Sequence, residues 1–139
     1  MKKFTKVLAL VLVTVFAALS MVACAPNSNP EKAEKALKDE GYVTIRLSDA
    51  LTLTATELAL GCSRGDIVTV VSGTKKNEDK IDTVSIIYFK DASAAKSAWD
   101  KAKAYLEDET EEETESDVVV EKSGKMIYGG TKAGIKAAQ

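Results

Sequence analysis

An uncharged apolar run from Val7 to Val22, entered through Lys2, Lys3 and Lys6 and closed by Ala23-Cys24, limits what the rest of this chain can become. The run falls slightly short of the ~20 residues that span a bilayer, and its basic start and small-residue end have the form of an export signal. Setting residues 1–23 aside leaves residues 24–139, enough for one domain and too few for two ordinary ones. Losing Lys2, Lys3 and Lys6 with the leader takes the formal charge from −2 to −5. That balance excludes nucleic acid as a partner, because phosphate binding needs a concentrated basic face. It also gives no attraction to anionic lipid head groups, so membrane attachment would have to come from a lipid or an apolar helix.

The stretch Ser20-Met21-Val22-Ala23-Cys24 resembles a bacterial lipoprotein signal, with Met21 where Leu is usual. The resemblance implies that Cys24 receives diacylglycerol and becomes the first mature residue. Bacterial lipoproteins of this kind carry two or three acyl chains on the cysteine, which matters because a single chain anchors only marginally. Two alternatives stay open: plain secretory cleavage after Ala25, which would leave Pro26 first, and a retained transmembrane helix. Residues 24–30 then read as the lipidated cysteine and a tether, since Pro26, Asn27, Asn29 and Pro30 suit neither helix nor strand. Six extended residues reach about 20 Å at most.

Residues 31–139 read as a single α+β domain. Asn29 and Pro30 open a helix over Glu31–Glu40 with Ala33, Ala36 and Leu37 as its stripe, and Gly41 stops it. Tyr42–Leu47 alternates like a strand. The next segment is ambiguous, and Thr54-Ala55-Thr56-Glu57 suggests a capping box for a short helix. Asp66–Ser72 and Asp82–Lys90 are the clearest strands, joined by a long polar loop over Gly73–Lys80. Asp91-Ala92-Ser93 caps a helix to about Glu107, with Ala95, Ala98, Trp99, Ala102, Tyr105 and Leu106 at helical spacing. Asp117–Glu121 and Lys125–Tyr128 form a tight hairpin, and Thr131 caps a terminal helix, Lys132–Ala138. The order α-β-(α)-β-β-α-β-β-α predicts an antiparallel sheet of four or five strands with helices on one face.

Chemistry is sparse. The chain has no histidine, which removes the commonest general base at neutral pH and the commonest zinc ligand. With Cys24 committed, Cys62 has no partner for a disulfide. A reactive thiol beside Arg64 is one reading of Cys62; a structural thiol in its Leu-Ala-Leu-Gly setting is the favoured one. Residues 107–117 hold eight acids and no base, but without the acid spacing and glycine of a calcium loop they read as a solvated segment. Arg64-Gly65-Asp66 has the sequence of an adhesive tripeptide, and Gly65 is as well explained as a turn. Ser72-Gly73-Thr74-Lys75 and Gly129-Gly130-Thr131-Lys132 each place Gly, Thr and Lys near a strand end. The second precedes a helix and is better read as turn plus cap than as an anion loop.

The segments YFKDASAAKSAWDKAKAYLE and SGKMIYGGTKAGIKAA resemble small uncharacterised lipoproteins of gut Gram-positive bacteria. The resemblance implies no activity. The expectation is therefore an extracytoplasmic, lipid-anchored module with Cys24 as its one assigned site. No catalytic, metal or cofactor residue is assigned, and the partner is a surface protein or a small ligand. An enzyme or enzyme inhibitor acting on wall or peptide substrates is the alternative, and a purely structural envelope protein a third.

Overall fold

The computed structural model describes residues 25–110 and 118–139. The lipidation expected at Cys24 and most of the acidic run lie outside them. Nine elements follow one another: α1 (Pro30–Asp39), β1 (Val43–Leu47), α2 (Ala50–Ala59), β2 (Ile67–Asn77), β3 (Lys80–Phe89), α3 (Ala92–Thr110), β4 (Val118–Ser123), β5 (Met126–Thr131) and α4 (Lys132–Ala137). The strands make one antiparallel sheet in the order β1-β2-β3-β5-β4. The expected class, sheet and element order are those that form.

The helices do not share one face of the sheet, as expected, but cover both. The cause lies in neighbouring apolar residues along the central strands. Val70-Val71, Ile86-Ile87 and Ile127-Tyr128 sit in matched register across β2, β3 and β5. Because successive side chains point to opposite faces, each pair sends one apolar residue forward and one back. The front core gathers Val70, Ile87 and Ile127 with Leu53 and Leu60 and with Ala95, Ala98, Ala102 and Leu106 of α3. The back core gathers Val71, Ile86 and Tyr128 with Ala33 and Leu37 of α1 and Ile135 of α4. Strands buried on both faces read as near-continuous apolar runs rather than as clean alternation.

Caps set the helix starts. The Asn29 carboxamide oxygen accepts from Glu31 N and Lys32 N at 3.0 and 3.2 Å, and Asp91 Oδ1 accepts from Ala94 N at 2.7 Å. Thr131 Oγ1 accepts from Gly134 N at 3.1 Å, which makes it the expected cap of α4. The capping box expected at Thr54 and Glu57 does not form. Asp49 starts α2 instead, accepting from Thr52 N at 2.9 Å, and Glu57 is buried in the helix interior. The long loop expected over Gly73–Lys80 also gives way. β2 and β3 continue to Asn77 and from Lys80, leaving a two-residue turn with Glu78 at φ 39°. Back-face contacts hold those polar residues extended: Lys75 Nζ donates to Glu40 O at 2.8 Å and lies 5.7 Å from the centre of the Tyr42 ring.

The segment read as a free tether is bound back onto the domain. Pro26 is buried and Ala25 packs against the back core. Asn27 N donates to Ala138 O at 2.8 Å, and the Tyr88 hydroxyl donates to Asn27 O at 2.8 Å. The start of the described chain is thereby fixed to its end. Among the described residues no helix is long and apolar enough to cross a membrane.

Candidate functional site

Two surfaces stand out. The first is a polar cleft of about 280 Å³ at the foot of α3, where the loop from Gly61 to Asp66 meets the turn into the helix. Glu57 builds that loop from beneath. Its Oε1 accepts from Gly65 N at 2.9 Å and from Ile67 N at 3.2 Å, so a buried carboxylate holds both sides of the glycine turn. Gly65 has φ 89°, a conformation that glycine adopts freely.

The cleft brings together Cys62, Ser63, Asp66, Lys90, Ser93 and Ser97. Lys90 Nζ lies 2.9 Å from Asp66 Oδ1, and Asp66 Oδ2 accepts from Ser63 N at 2.9 Å. The Lys90 hydrogen bond, followed by that from Ser63, holds the Asp66 carboxyl below the usual range. The same hydrogen bond and the Asp66 charge push Lys90 up. Burial, then the negative charges of Asp66 and Glu57, push the Cys62 thiol up, against a smaller opposing pull from Lys101. At neutral pH the cleft therefore contains an ammonium, a carboxylate already bonded to it, and a neutral thiol. None of the three is poised for proton transfer or nucleophilic attack. The arrangement suits the holding of a small polar group.

This geometry also decides among the sequence readings. Cys62 is half-buried against the front core, as the structural reading has it. Asp66 of the Arg64-Gly65-Asp66 tripeptide is engaged with Lys90 and Ser63, so the acid is turned into the cleft and not displayed beside Arg64. Ser72–Lys75 lies in mid-strand. Gly73 there makes room for Leu37 and Tyr42, since a Cβ would lie 3.1 Å from Leu37 Cδ1. Gly130 (φ 152°) lies where β5 meets β3: a Cβ would stand 2.1 Å from Thr83 O, and one at Gly134 2.5 Å from the same oxygen. These glycines serve close packing, and Thr131 serves as cap. Among the described residues no three acidic or cysteine side chains are grouped to hold a metal ion.

The second surface is apolar and was not anticipated. Six large hydrophobic side chains are exposed among the described residues, and five of them belong to the consecutive β1–α2–β2 flank: Val43 at 76 %, Ile45 at 61 %, Leu51 at 84 %, Leu58 at 82 % and Val68 at 53 %. Val43 and Ile45 share the front face with Leu47, and Ile45 is in register with Ser72 and, through it, Ser85. Those two serines bond each other at 3.0 Å. Leu51 and Leu58 stand two turns apart on the side of α2 opposite buried Leu53, Glu57 and Leu60. The signal in the sequence was the segment Ala50–Leu60, which holds one charge, Glu57, and has leucines and alanines on every side between its three threonines; a helix with so little polar surface seeks cover on more than one side.

Comparison of the chain with protein-family models, with curated proteins and with solved structures yields no match.

Proposed function

We propose that this chain is an extracytoplasmic lipoprotein, held to the membrane by acyl chains on Cys24, that works by binding a protein surface and not by catalysis. The apolar flank carries the reading. Single exposed hydrophobics are ordinary on a soluble domain, but a cluster drawn from one consecutive stretch marks an interaction site. The cleft supports it from the other side, since its ionisable groups satisfy one another.

The anchor also fits the way the domain begins. With Ala25 already packed on the back core, Cys24 is separated from folded structure by no free residues. A lipid there would seat the domain directly on the bilayer, and the ~20 Å reach expected of a tether is lost.

The test is the intact mass of the protein extracted from membranes of the native cell, with cell fractionation beside it. The expected mass is that of residues 24–139 plus a diacylglyceride and any further acyl chain. The Cys24→Ala variant should lose both that modification and membrane retention. An unmodified mass beginning near Pro26 would overturn the anchor.

A further inference from the structure

The sheet has two edges, and they are finished differently. On β4, Val119 packs into the back core and Val120 into the front, and Lys122 Nζ lies 5.8 Å from the centre of the Trp99 ring. Natural edges are guarded by Pro, Lys, bulges or a covering element. β1 (Val-Thr-Ile-Arg-Leu) has no Pro and no Lys, and it runs in unbroken register against β2. Its one charge, Arg46, is on the back face, where its guanidinium reaches Glu34 at 3.4 Å and Glu31 at 3.9 Å.

The front of β1 and the exposed face of α2 carry no charge of their own; Asp49 at the α2 cap and Arg64 in the loop before β2 flank them. The solvent side of α2 presents Leu51, Thr54, Ala55, Leu58 and Ala59, in a chain of which 29 % is charged. An uncharged apolar patch is complementary to itself, as a two-fold interface requires. The five exposed side chains together offer on the order of 600 Å², the upper end of the largest apolar patch on a typical monomer. That approaches the roughly 800 Å² per partner of a stable interface, before the backbone of the edge is added.

We infer that the protein pairs with a second copy of itself through β1. Antiparallel pairing about Ile45 sets Ile45 against Ile45, Val43 against Leu47 and Thr44 against Arg46. The two-fold axis then runs perpendicular to the sheet, so both front faces lie on one side and the α2 that follows each Leu47 is brought toward the exposed Val43 of the other copy. The two five-stranded sheets become one continuous sheet, and each copy's open edge is closed by the other. The inference rests on the reading of this flank as a protein-docking surface and names its occupant.

The test is the protein mass of the full chain, extracted from membranes in mild detergent, by light scattering at about 10–100 μM. Wild type should be a dimer. Ile45→Lys and Leu58→Lys, each at a position exposed in the monomer, should keep the far-UV circular dichroism of wild type and weaken the dimer at least about thirtyfold. Lys32→Glu, on α1, should leave it unchanged. In a Cys62→Ser background, Ile45→Cys should form a disulfide-linked dimer across the axis. A wild-type monomer throughout this range overturns the inference, as does a dimer indifferent to both lysines. If wild type is monomeric but Leu58→Lys abolishes in-cell cross-linking to a different protein, the second-copy inference falls alone. If Leu58→Lys changes neither, the docking reading falls with it.

Discussion

Glu57→Ala should be among the most damaging single changes in the chain, although residue 57 lies on a short helix beneath a surface loop. Its carboxylate is buried and accepts from two backbone amides, Gly65 N at 2.9 Å and Ile67 N at 3.2 Å. Truncation orphans both donors. Ile67 N is in a buried setting, and a buried unsatisfied amide costs about 1–3 kcal/mol. Gly65 N is only partly buried, so water can replace the carboxylate there at a loss of about 1 kcal/mol. The sum is about 2–4 kcal/mol, out of the roughly 5–15 kcal/mol typical of a domain. For residues 25–139 unfolded in urea, a loss near 3 kcal/mol at a slope of about 1.5 kcal/mol/M lowers the midpoint by about 2 M. Glu57→Gln keeps one acceptor oxygen in place and should lose less than half as much. Equal stability of the alanine variant and wild type, within about 0.5 kcal/mol, would refute the account of how this loop is held. So would a glutamine variant as damaged as alanine, since the geometry of the acceptor would then not be what matters.

Other outcomes follow from single contacts. Gly130→Ala drives a Cβ to 2.1 Å from Thr83 O and should cost more than about 4 kcal/mol or prevent folding. Gly124→Ala, at φ 58° with open space around it, should cost only about 1–2 kcal/mol; thermal melts of the two variants decide this, and similar melting temperatures would contradict it. Glu34, Asp49 and Asp66 are all held below the ordinary carboxylate range, chiefly by hydrogen bonds from Lys38, Thr52 and Lys90 respectively. Their folded values lie below their unfolded ones, so the stability they add is present above about pH 4 and is lost as pH falls through the folded values. Unfolding measured between about pH 5 and 2 should show that decline, and Glu34→Gln, Asp49→Asn and Asp66→Asn together should flatten it; an unchanged slope would count against these bonds. Cys62, with its thiol pushed up by burial and two acids, should be alkylated by iodoacetamide at neutral pH more slowly than free cysteine, and a faster rate would reopen the reactive reading.

Much of this fold was legible in local chemistry. Asn29 before Pro30, Asp91 before Ala92 and Thr131 before Lys132 mark helix starts by a mechanism that needs no tertiary context, and each cap forms as expected. Thr54-Ala55-Thr56-Glu57 misled because it satisfies the same rule in the wrong place. Only the amides of Gly65 and Ile67, eight and ten residues further along the chain, show why Glu57 is buried, and that contact is tertiary. The continuation of β2 through Thr74-Lys75-Lys76-Asn77 was hidden for a similar reason, since polar residues read as loop until Tyr42 and the Glu40 carbonyl are seen to hold Lys75. The cleft was half visible: Cys62 and Asp66 stand close together in the sequence, but Lys90 is far from them and completes the site only through the register of β2 with β3. The apolar flank went unread because Val43, Ile45, Leu51 and Leu58 look like core residues in any sequence. Only three-dimensional structure distinguishes apolar residues that found cover from those that did not.

The bond between Asn27 N and Ala138 O has a practical bearing on how the protein meets its surroundings. It brings the first and last described residues to one end of the sheet, beside Tyr88. With acyl chains on Cys24, the C-terminus would lie on the membrane side, and a fusion or affinity handle attached after Gln139 would be crowded by lipid. The hairpin tip at Glu78-Asp79 is at the other end of β3, about 26 Å from Tyr88 at ordinary strand rise. It is the end of that hairpin farthest from the anchor, so it is the place to insert an epitope intended to stay clear of the lipid.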